Sequence, residues 1–188
     1  MLAKLFSVGQ TTDRGKGLFA AERVPKGTIV FFECRRCKRI PVNEFNSLVQ
    51  REKGFILKYG YRKADGSHLL PCDEIIYLNH SCDANILDSG RGYDIVVSDF
   101  EEGKEATYDY RQFNDADGQS FSCQCGEKAC RRIVRFLHPP PNELADLWKR
   151  RINSALTHFT SVKQPLESEL QLGIRTDKIE KEKGTSSY

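Results

Sequence analysis

The sequence has no long hydrophobic run and no segment typical of export. No stretch approaches the roughly 18 to 20 consecutive apolar residues that a membrane-spanning helix needs, so no membrane association is expected. The apolar start of the chain is soon interrupted by Gly9, Gln10 and Asp13, which argues against a signal peptide. An intracellular location, in the cytoplasm or the nucleus, is therefore expected.

Strong net charge and an even set of cysteines are also missing. The formal net charge is +3 over 188 residues, which is too mild to indicate nucleic-acid binding by itself. Direct contact with nucleic acid is therefore not expected. The seven cysteines are odd in number and accompany no export signal, so a disulfide framework is not expected either. Reduced thiols or metal ligands are the better interpretation.

The first 120 residues are dominated by strand patterns, without internal repeats or alternation of strands and helices. An apolar run at residues 75–78 has the composition of a buried strand, and a short helix is predicted at residues 43–53. Strands are predicted at residues 2–8, 17–22, 28–33, 94–98 and 105–108, with a hairpin formed by 55–62 and 68–71.

Three consecutive prolines, at residues 139–141, mark a boundary. After them Asn142 can cap a helix that extends to about Phe159. Its apolar residues recur at helical spacing, which is typical of a helix packed on the domain, although a lid or dimer role stays open. The stripe consists of Leu144, Leu147, Trp148, Ile152 and Leu156. The predicted units are residues 1–120, 121–138, 139–175 and a disordered tail at 176–188.

Two short motifs contain candidate ligand-binding residues. Gly15-Lys16-Gly17 lacks the following helix of a dinucleotide fingerprint, so it is either a plain turn or a loop whose backbone approaches a cofactor closely. Asn79-His80 opens a run of polar and small residues directly behind the apolar residues 75–78. A lone histidine is more often a core residue whose ring nitrogens are hydrogen-bonded. The polar residues around His80 instead favour a ligand site or a hydrogen-bonded link to another segment.

The cysteines indicate a metal site. Cys123, Cys125 and Cys130 lie within eight residues around a glycine, and a closed zinc site needs a fourth ligand, for which Cys82 is the natural candidate. Such an ion would build the site rather than perform the reaction. Free thiols are the favoured interpretation of the weaker C-x-x-C motif at residues 34–37, for which only Cys72 remains as a third partner.

Tyr108 and Tyr110 lie two apart on a predicted strand, so both side chains are expected on the same face. They form either a cross-strand aromatic pair or two phenol groups that line a narrow channel.

Together these motifs resemble those of the SET-domain protein-lysine methyltransferases, over roughly residues 8–133. The resemblance is carried by residues 14–20, by the signature at 78–85, by residues 103–110 and by the cysteine tail at 123–131. It implies a mainly β fold of small curled sheets with a pseudoknot, followed by a C-terminal α-helix. The SET domain would occupy residues 1–120 and the post-SET zinc segment residues 121–138.

The resemblance also implies roles for individual residues. S-adenosylmethionine would bind to the cofactor residues Gly15, Lys16, Gly17, Asn79 and His80. One structural zinc ion would be held by Cys82, Cys123, Cys125 and Cys130. Tyr110 would be the catalytic tyrosine, and Tyr108 would limit the number of methyl groups, which favours monomethylation. The third aromatic residue of the site stays open between Tyr59 and Tyr61, with Phe55 as a further option.

The expected partner is a protein that carries the target lysine, such as a histone or another basic DNA-associated protein. Ile76 stands where the family often has an arginine, which leaves the contact to the cofactor carboxylate unassigned. Two alternatives remain: a non-catalytic SET-like module that binds a peptide, and a zinc-dependent nucleic-acid binder that uses Arg131, Arg132 and Arg135.

Overall fold

The computed structural model describes residues 1–113, 120–136 and 139–171, so the predicted tail at 176–188 lies outside the described residues. Within these ranges, none of the helices combines the length and the apolar composition that crossing a membrane would require.

Short strands dominate the described part of the chain. They are β1 (Phe6–Gln10), β2 (Lys16–Ala20), β3 (Ile29–Phe32), β4 (Lys38–Ile40), β5 (Tyr61–Arg62), β6 (His68–Leu70), β7 (Asn79–His80), β8 (Ile86–Asp88), β9 (Tyr93–Val96), β10 (Glu105–Tyr108), β11 (Ser120–Ser122) and β12 (Ile133–Arg135). The α-helices are α1 (Val42–Ser47), α2 (Gln50–Tyr59) and α3 (Asn142–Leu156). Short 3₁₀ helices occupy Glu74–Tyr77, Tyr110–Gln112 and Phe159–Ser161.

The largest sheet brings the two central motifs side by side. Its strand order is β1-β2-β10-β8-β9-β3, and β7 also pairs with β10. The late strand β10 therefore lies between strands from earlier parts of the chain. It is antiparallel to β2 but parallel to β7 and β8, with Thr107 opposite Asn79 and Tyr108 opposite His80. The end of β10 consequently places the tyrosine motif beside the asparagine-histidine pair.

Two smaller sheets flank this one. Strands β4, β6 and β5 form an antiparallel sheet, in which Gly66 takes a positive φ of 83° at the turn before β6. Strands β11 and β12 form an antiparallel ribbon around the cysteine tail. The mainly β architecture of curled sheets with a C-terminal helix confirms the predicted fold class.

The core lies between the large sheet and the elements around it. Its centre contains the fully buried side chains of Leu18, Ile86 and Val96. Helix α3 covers a second cluster, in which Trp148 and Ala155 pack with residues of β8 and β9. The predicted packing of this helix on the domain is therefore confirmed. Of the five stripe residues, Leu147 remains the most exposed, at 39%.

Several predicted elements differ from those observed. Residues 55–59 belong to α2 rather than to a strand, and the Gly60 amide donates to the Ile56 carbonyl at the end of this helix; Ile56 lies in the core, whereas Phe55 and Leu57 are half exposed. The single helix predicted at residues 43–53 is interrupted by extended backbone at positions 48–49, so α1 and α2 are separate. The predicted first strand begins only at residue 6.

Two capping or strand predictions also need correction. Residues 74–77 form a 3₁₀ helix instead of a strand, because the carboxylate of Asp73 accepts a hydrogen bond from the Ile75 amide and starts a turn. Asn142 is the first residue of α3 rather than its cap, and Pro141 at the capping position makes no side-chain hydrogen bond. The fixed φ of proline suits it to this entry into the helix.

Candidate active site and metal centre

The glycine loop, in which Gly15 precedes β2 and Lys16 and Gly17 begin it, lies against Asn79. The Asn79 amide nitrogen donates to the Lys16 carbonyl at 3.0 Å and to Glu105 Oε1 at 2.9 Å. A Cβ added at Gly17 would lie 2.8 Å from Glu105 Oε1 and 3.1 Å from Asn79 Nδ2. Gly15 has a positive φ of 74° but nothing within 4 Å of an added Cβ. A glycine is thus required at position 17 because Glu105 and Asn79 lie so close to the backbone there. At position 15 it is required because the turn before β2 needs a positive φ.

Arg14 and Glu105 also contribute polar contacts beside the glycine loop. Nothing in the sequence indicated a role for either residue. An Arg14 guanidinium nitrogen lies 2.6 Å from Glu105 Oε2, and the other donates to the His80 carbonyl at 3.1 Å. Both residues lie within motifs that carry the resemblance, but neither motif predicts that the two side chains form an ion pair. Their ion pair links the glycine loop to β10 beside Asn79.

His80 holds the tyrosine turn and the cysteine centre together. Its Nδ1 accepts a hydrogen bond from the Tyr110 amide at 3.1 Å, so the proton of the neutral ring lies on Nε2, which is 3.4 Å from Cys82 Sγ. Burial lowers the pKa of His80 to about 4, although the negative charge of Asp109 opposes the shift. Both ring nitrogens are engaged within the protein, so any contact from His80 to a cofactor falls to its backbone.

Tyr110 lies beyond the end of β10, at the start of a 3₁₀ helix, so the two tyrosines do not share a strand as predicted. Its hydroxyl donates to the Leu78 carbonyl at 2.6 Å, one residue before Asn79. Burial raises the pKa of Tyr110 to about 12, so the phenol keeps its proton near neutral pH.

Tyr108 is the last residue of β10 and belongs to an aromatic group centred on Phe113. The ring centroids of Tyr61, Tyr108 and Tyr110 lie 4.8, 5.0 and 5.3 Å from that of Phe113. Tyr61 therefore packs against the same phenylalanine ring as the two motif tyrosines. Tyr59 packs instead with Tyr77, and the centroids of these two rings lie 6.1 Å apart.

These aromatic rings line a cavity of about 650 Å³. Phe113 was not singled out from the sequence, because a phenylalanine three residues after the motif carries no signal of its own. The cavity wall also contains three carboxylates and three basic side chains: Glu33, Asp88, Asp94, Lys58, Arg62 and Lys63. Burial raises the pKa of Asp94 well above its usual range, and the negative charge of Asp88 adds to the effect. The Asp94 carboxyl therefore favours its neutral form.

The four cysteines of the predicted zinc site lie together. The Sγ atoms of Cys82, Cys123, Cys125 and Cys130 all lie within 4.8 Å of one another. Cys82 Sγ and Cys123 Sγ are 3.7 Å apart, close to the edge of about 3.8 Å that a tetrahedron with Zn–S bonds of about 2.3 Å requires.

The surroundings of Cys82 suit a metal-bound thiolate. The backbone and side-chain N–H groups of Arg131 each lie 3.3 Å from Cys82 Sγ, and N–H groups of this kind orient and stabilise ligands from outside the coordination sphere. A closed set of four thiolates is typical of a structural zinc ion. The donor set and its hydrogen bonds therefore fit zinc, and an ion here would tie the ribbon of β11 and β12 to the segment after His80.

A buried carboxylate connects this centre to the C-terminal helix. Asp109 is 1% exposed and accepts hydrogen bonds from Arg131 Nη2 at 2.6 Å and from Trp148 Nε1 at 3.0 Å. In the sequence, Trp148 stands out only as part of an apolar stripe, and Asp109, between the two motif tyrosines, carries no signal of its own. The hydrogen bond from Trp148 to Asp109 places α3 directly behind the turn at Tyr110.

Comparisons with known proteins agree with this architecture. No curated protein matches the chain. The methyltransferase domain of the human histone-lysine N-methyltransferase SETMAR is similar in structure, with a TM-score of 0.50 and 21% identity over 70% of this chain and 58% of that one. KRYPTONITE, in a complex with mCHG DNA and SAH, has a TM-score of 0.47 and 18% identity over 70% of this chain and 29% of that one.

The chain thus spans 58% of the SETMAR chain and 29% of the KRYPTONITE chain, and at 21% identity the likeness to the SETMAR domain concerns the fold alone. The family model of the SET domain matches residues 15–111 of the sequence, slightly more than half of the 188 residues. This range includes the glycine loop, the signature at 78–85 and both motif tyrosines. The chain therefore belongs to the SET-domain family.

Proposed function

We propose that this SET domain transfers a methyl group from S-adenosylmethionine to the ε-amine of a lysine in a protein substrate. The position of Tyr110 is the observation that carries the proposal. Its ring lines the aromatic cavity, while its hydroxyl binds the Leu78 carbonyl beside Asn79 and the glycine loop. A lysine side chain in the cavity and a cofactor on the loop would meet at this hydroxyl.

The residues around the glycine loop fit such a cofactor. An open pocket of about 440 Å³ lies beside the loop and is lined by Lys16 and Tyr77, with the Lys16 ammonium 4.9 Å from the centre of the Tyr77 ring. An aromatic face suits a purine ring, and a lysine ammonium suits a carboxylate. This pocket and the aromatic cavity share Pro71 and Ile76 in their walls, so their occupants would be neighbours.

The chemistry requires alignment more than a strong base. When bound, the cofactor supplies an electrophilic methyl group on a sulfonium. A free lysine has a pKa of about 10.4, so only about one molecule in 10³ is neutral near pH 7. Apolar walls favour that neutral form. Tyr110 uses its proton to bind the Leu78 carbonyl, which leaves oxygen lone pairs that can orient the amine. Water takes the proton that the lysine ammonium loses. The walls of the cavity hold the neutral amine in line with the methyl group.

We assign the limit on methyl number to Tyr108. Burial keeps its phenol protonated by raising its pKa, and the negative charges of Asp94 and Asp88 act in the same direction. Its hydroxyl can hold a water molecule in the space that a second methyl group would need, so a bias towards monomethylation is expected. Tyr108→Phe should raise the share of di- and trimethyl-lysine in the product, as measured by mass spectrometry.

The matched control for this change is Tyr59→Phe, which removes a hydroxyl from the same cavity but outside the aromatic group at Phe113. It should keep the wild-type ratio of products. An unchanged ratio in the Tyr108 variant, or the same change in both variants, would exclude the proposed role of Tyr108.

A histone or another basic DNA-associated protein is the proposed substrate. The SETMAR domain, which has a similar fold, is a histone-lysine N-methyltransferase domain, and this supports the choice. Incubation with labelled S-adenosylmethionine and a panel of histones, basic DNA-binding proteins and acidic proteins tests it. Label on lysines of the basic proteins is expected. Cofactor binding without label on any protein would favour the non-catalytic peptide-binding module instead.

We further propose that zinc bound to the four clustered cysteines at residues 82, 123, 125 and 130 stabilises the site. Zinc binding to such a site contributes directly to folding. Cys125→Ser should therefore lower the zinc content by one ion per chain and weaken cofactor binding together, because Cys82 lies two residues from His80. An unchanged zinc content, measured by elemental analysis, would rule out this assignment.

A further inference from the structure

A second group of cysteines lies outside the candidate site. Four of the seven cysteines form the cluster at residues 82 and 123–130, and the other three, Cys34, Cys37 and Cys72, form a cluster of their own. The Sγ atom of Cys72 lies 3.6 Å from that of Cys34 and 3.8 Å from that of Cys37, and those two are 3.9 Å apart. All three are free cysteines.

The three sulfur atoms thus form a nearly equilateral triangle. A tetrahedral zinc ion with Zn–S bonds of about 2.3 Å separates its sulfur ligands by about 3.8 Å. A disulfide would instead bring one pair to about 2 Å and leave the third thiol aside. Because all three distances match one face of a zinc tetrahedron, we propose that Cys34, Cys37 and Cys72 bind a second zinc ion, independent of the one at Cys82.

The backbone around the C-x-x-C motif is shaped as a ligand loop. The Cys37 amide donates to the Cys34 carbonyl at 2.9 Å, which closes a tight turn and points both sulfur atoms to the same side. Arg36, inside this turn, makes a side-chain hydrogen bond to Cys34. Its guanidinium therefore stands where it offsets the net negative charge of one Zn²⁺ and three thiolates.

Solvent completes the coordination. Among the residues that the structure describes, no fourth His, Cys, Asp or Glu belongs to this cluster. Asp73 Oδ2 lies 3.9 Å from Cys72 Sγ, but it accepts a hydrogen bond from the Leu2 amide at 2.7 Å. Because Cys72 is exposed, a water molecule can reach the fourth position.

An ion at this position would join two parts of the fold. Cys34 and Cys37 lie between β3 of the large sheet and β4 of the small sheet, whereas Cys72 follows β6 of the small sheet. Cys72 also lines the smaller pocket next to Pro71, which stands in the wall of both cavities. The ion would thus hold the small sheet in place beside the candidate cofactor pocket, and its main effect is expected on stability.

Zinc content per chain tests the proposal directly, because it does not depend on methyl transfer. Protein purified under reducing conditions should contain two zinc ions, and Cys72→Ser and the matched control Cys125→Ser should each contain one. The double variant should contain none. A wild-type protein with a single ion, whose content Cys72→Ser leaves unchanged, would overturn the proposal even if the Cys82 centre binds zinc.

A second measurement on the wild-type chain covers variants that fail to fold. Thiol labelling followed by peptide mapping should show that Cys34, Cys37 and Cys72 react slowly until a strong chelator is added. Immediate labelling of all three in the zinc-loaded protein would overturn the proposal. A disulfide between Cys34 and Cys37 in the reduced preparation would do the same.

Discussion

Replacement of Trp148 tests whether α3 is attached to the Tyr110 turn or merely covers the sheet. Trp148 is 8% exposed, packs in the cluster with Leu87 and Ile95, and donates its indole N–H to Asp109 at 3.0 Å. Trp148→Ala removes both the packing and the hydrogen bond, whereas Trp148→Phe keeps most of the ring packing and removes only the donor. The two variants therefore separate the contributions.

The expected magnitudes follow from this geometry. Truncation of a buried tryptophan to alanine costs about 3–5 kcal/mol of unfolding free energy. A hydrogen bond to a charged group contributes about 1.5–3 kcal/mol, and Asp109 is a carboxylate buried to 1% exposure, so the loss in Trp148→Phe should fall in that range. Leu147→Ala, at the neighbouring 39% exposed position of the same helix, should cost less than about 1.5 kcal/mol.

Urea unfolding followed by circular dichroism measures these differences, with one m-value for all variants as a check on two-state behaviour. The predicted order of stability loss is Trp148→Ala, then Trp148→Phe, then Leu147→Ala. A Trp148→Phe variant within about 0.5 kcal/mol of wild type, or equal losses in the two alanine variants, would refute the view that Asp109 holds this helix.

Three further predictions concern the glycine loop, the tyrosine and the metal. Gly17→Ala, whose methyl group would lie 2.8 Å from Glu105 Oε1, should weaken cofactor binding in calorimetry at least about tenfold, whereas Gly15→Ala should cost about 1–2 kcal/mol of stability with little effect on binding. Equal effects on binding would contradict this. Transfer should accelerate from pH 7 to 9 as the substrate amine loses its proton, and Tyr110→Phe should keep that profile because a phenol with a pKa of about 12 does not titrate there; a flat profile in the variant would make Tyr110 the titrating group. A strong chelator should lower the melting temperature in calorimetry, and an unchanged melting temperature despite zinc release would exclude a structural role.

Local patterns in the sequence predicted the elements whose burial is one-sided and periodic. Helix α3 was found because its apolar residues recur at helical spacing and the packed sheet buries that side. Helix α2 was misread as part of a strand because Phe55, Ile56, Tyr59 and Tyr61 are types that favour strands, and Gly54 weakens a helical interpretation. Phe55 is half exposed, so the apolar residues of α2 do not recur at the spacing of one buried helix face.

The candidate site was predictable where one motif holds the chemistry and unpredictable where distant segments meet. The sequence placed Cys82 with the cysteine tail, 41 residues away, because a zinc site with three local ligands needs a fourth. The bond from Trp148 to Asp109 spans 39 residues and follows only from how α3 docks on the sheet. The cluster of Cys72 with the C-x-x-C motif likewise depends on the pairing of β4 with β6, which no local pattern specifies.

Methyl transfer by the wild-type protein and by Tyr110→Phe, with cofactor binding measured on the same samples, tests the central claim most directly. The account predicts that both proteins bind S-adenosylmethionine with similar affinity, while the variant loses about 10²-fold in the rate of lysine methylation, since one oriented group next to the reacting atoms is removed. Transfer at the wild-type rate by the variant, or cofactor binding by the wild-type protein without any transfer to the protein panel, would contradict it.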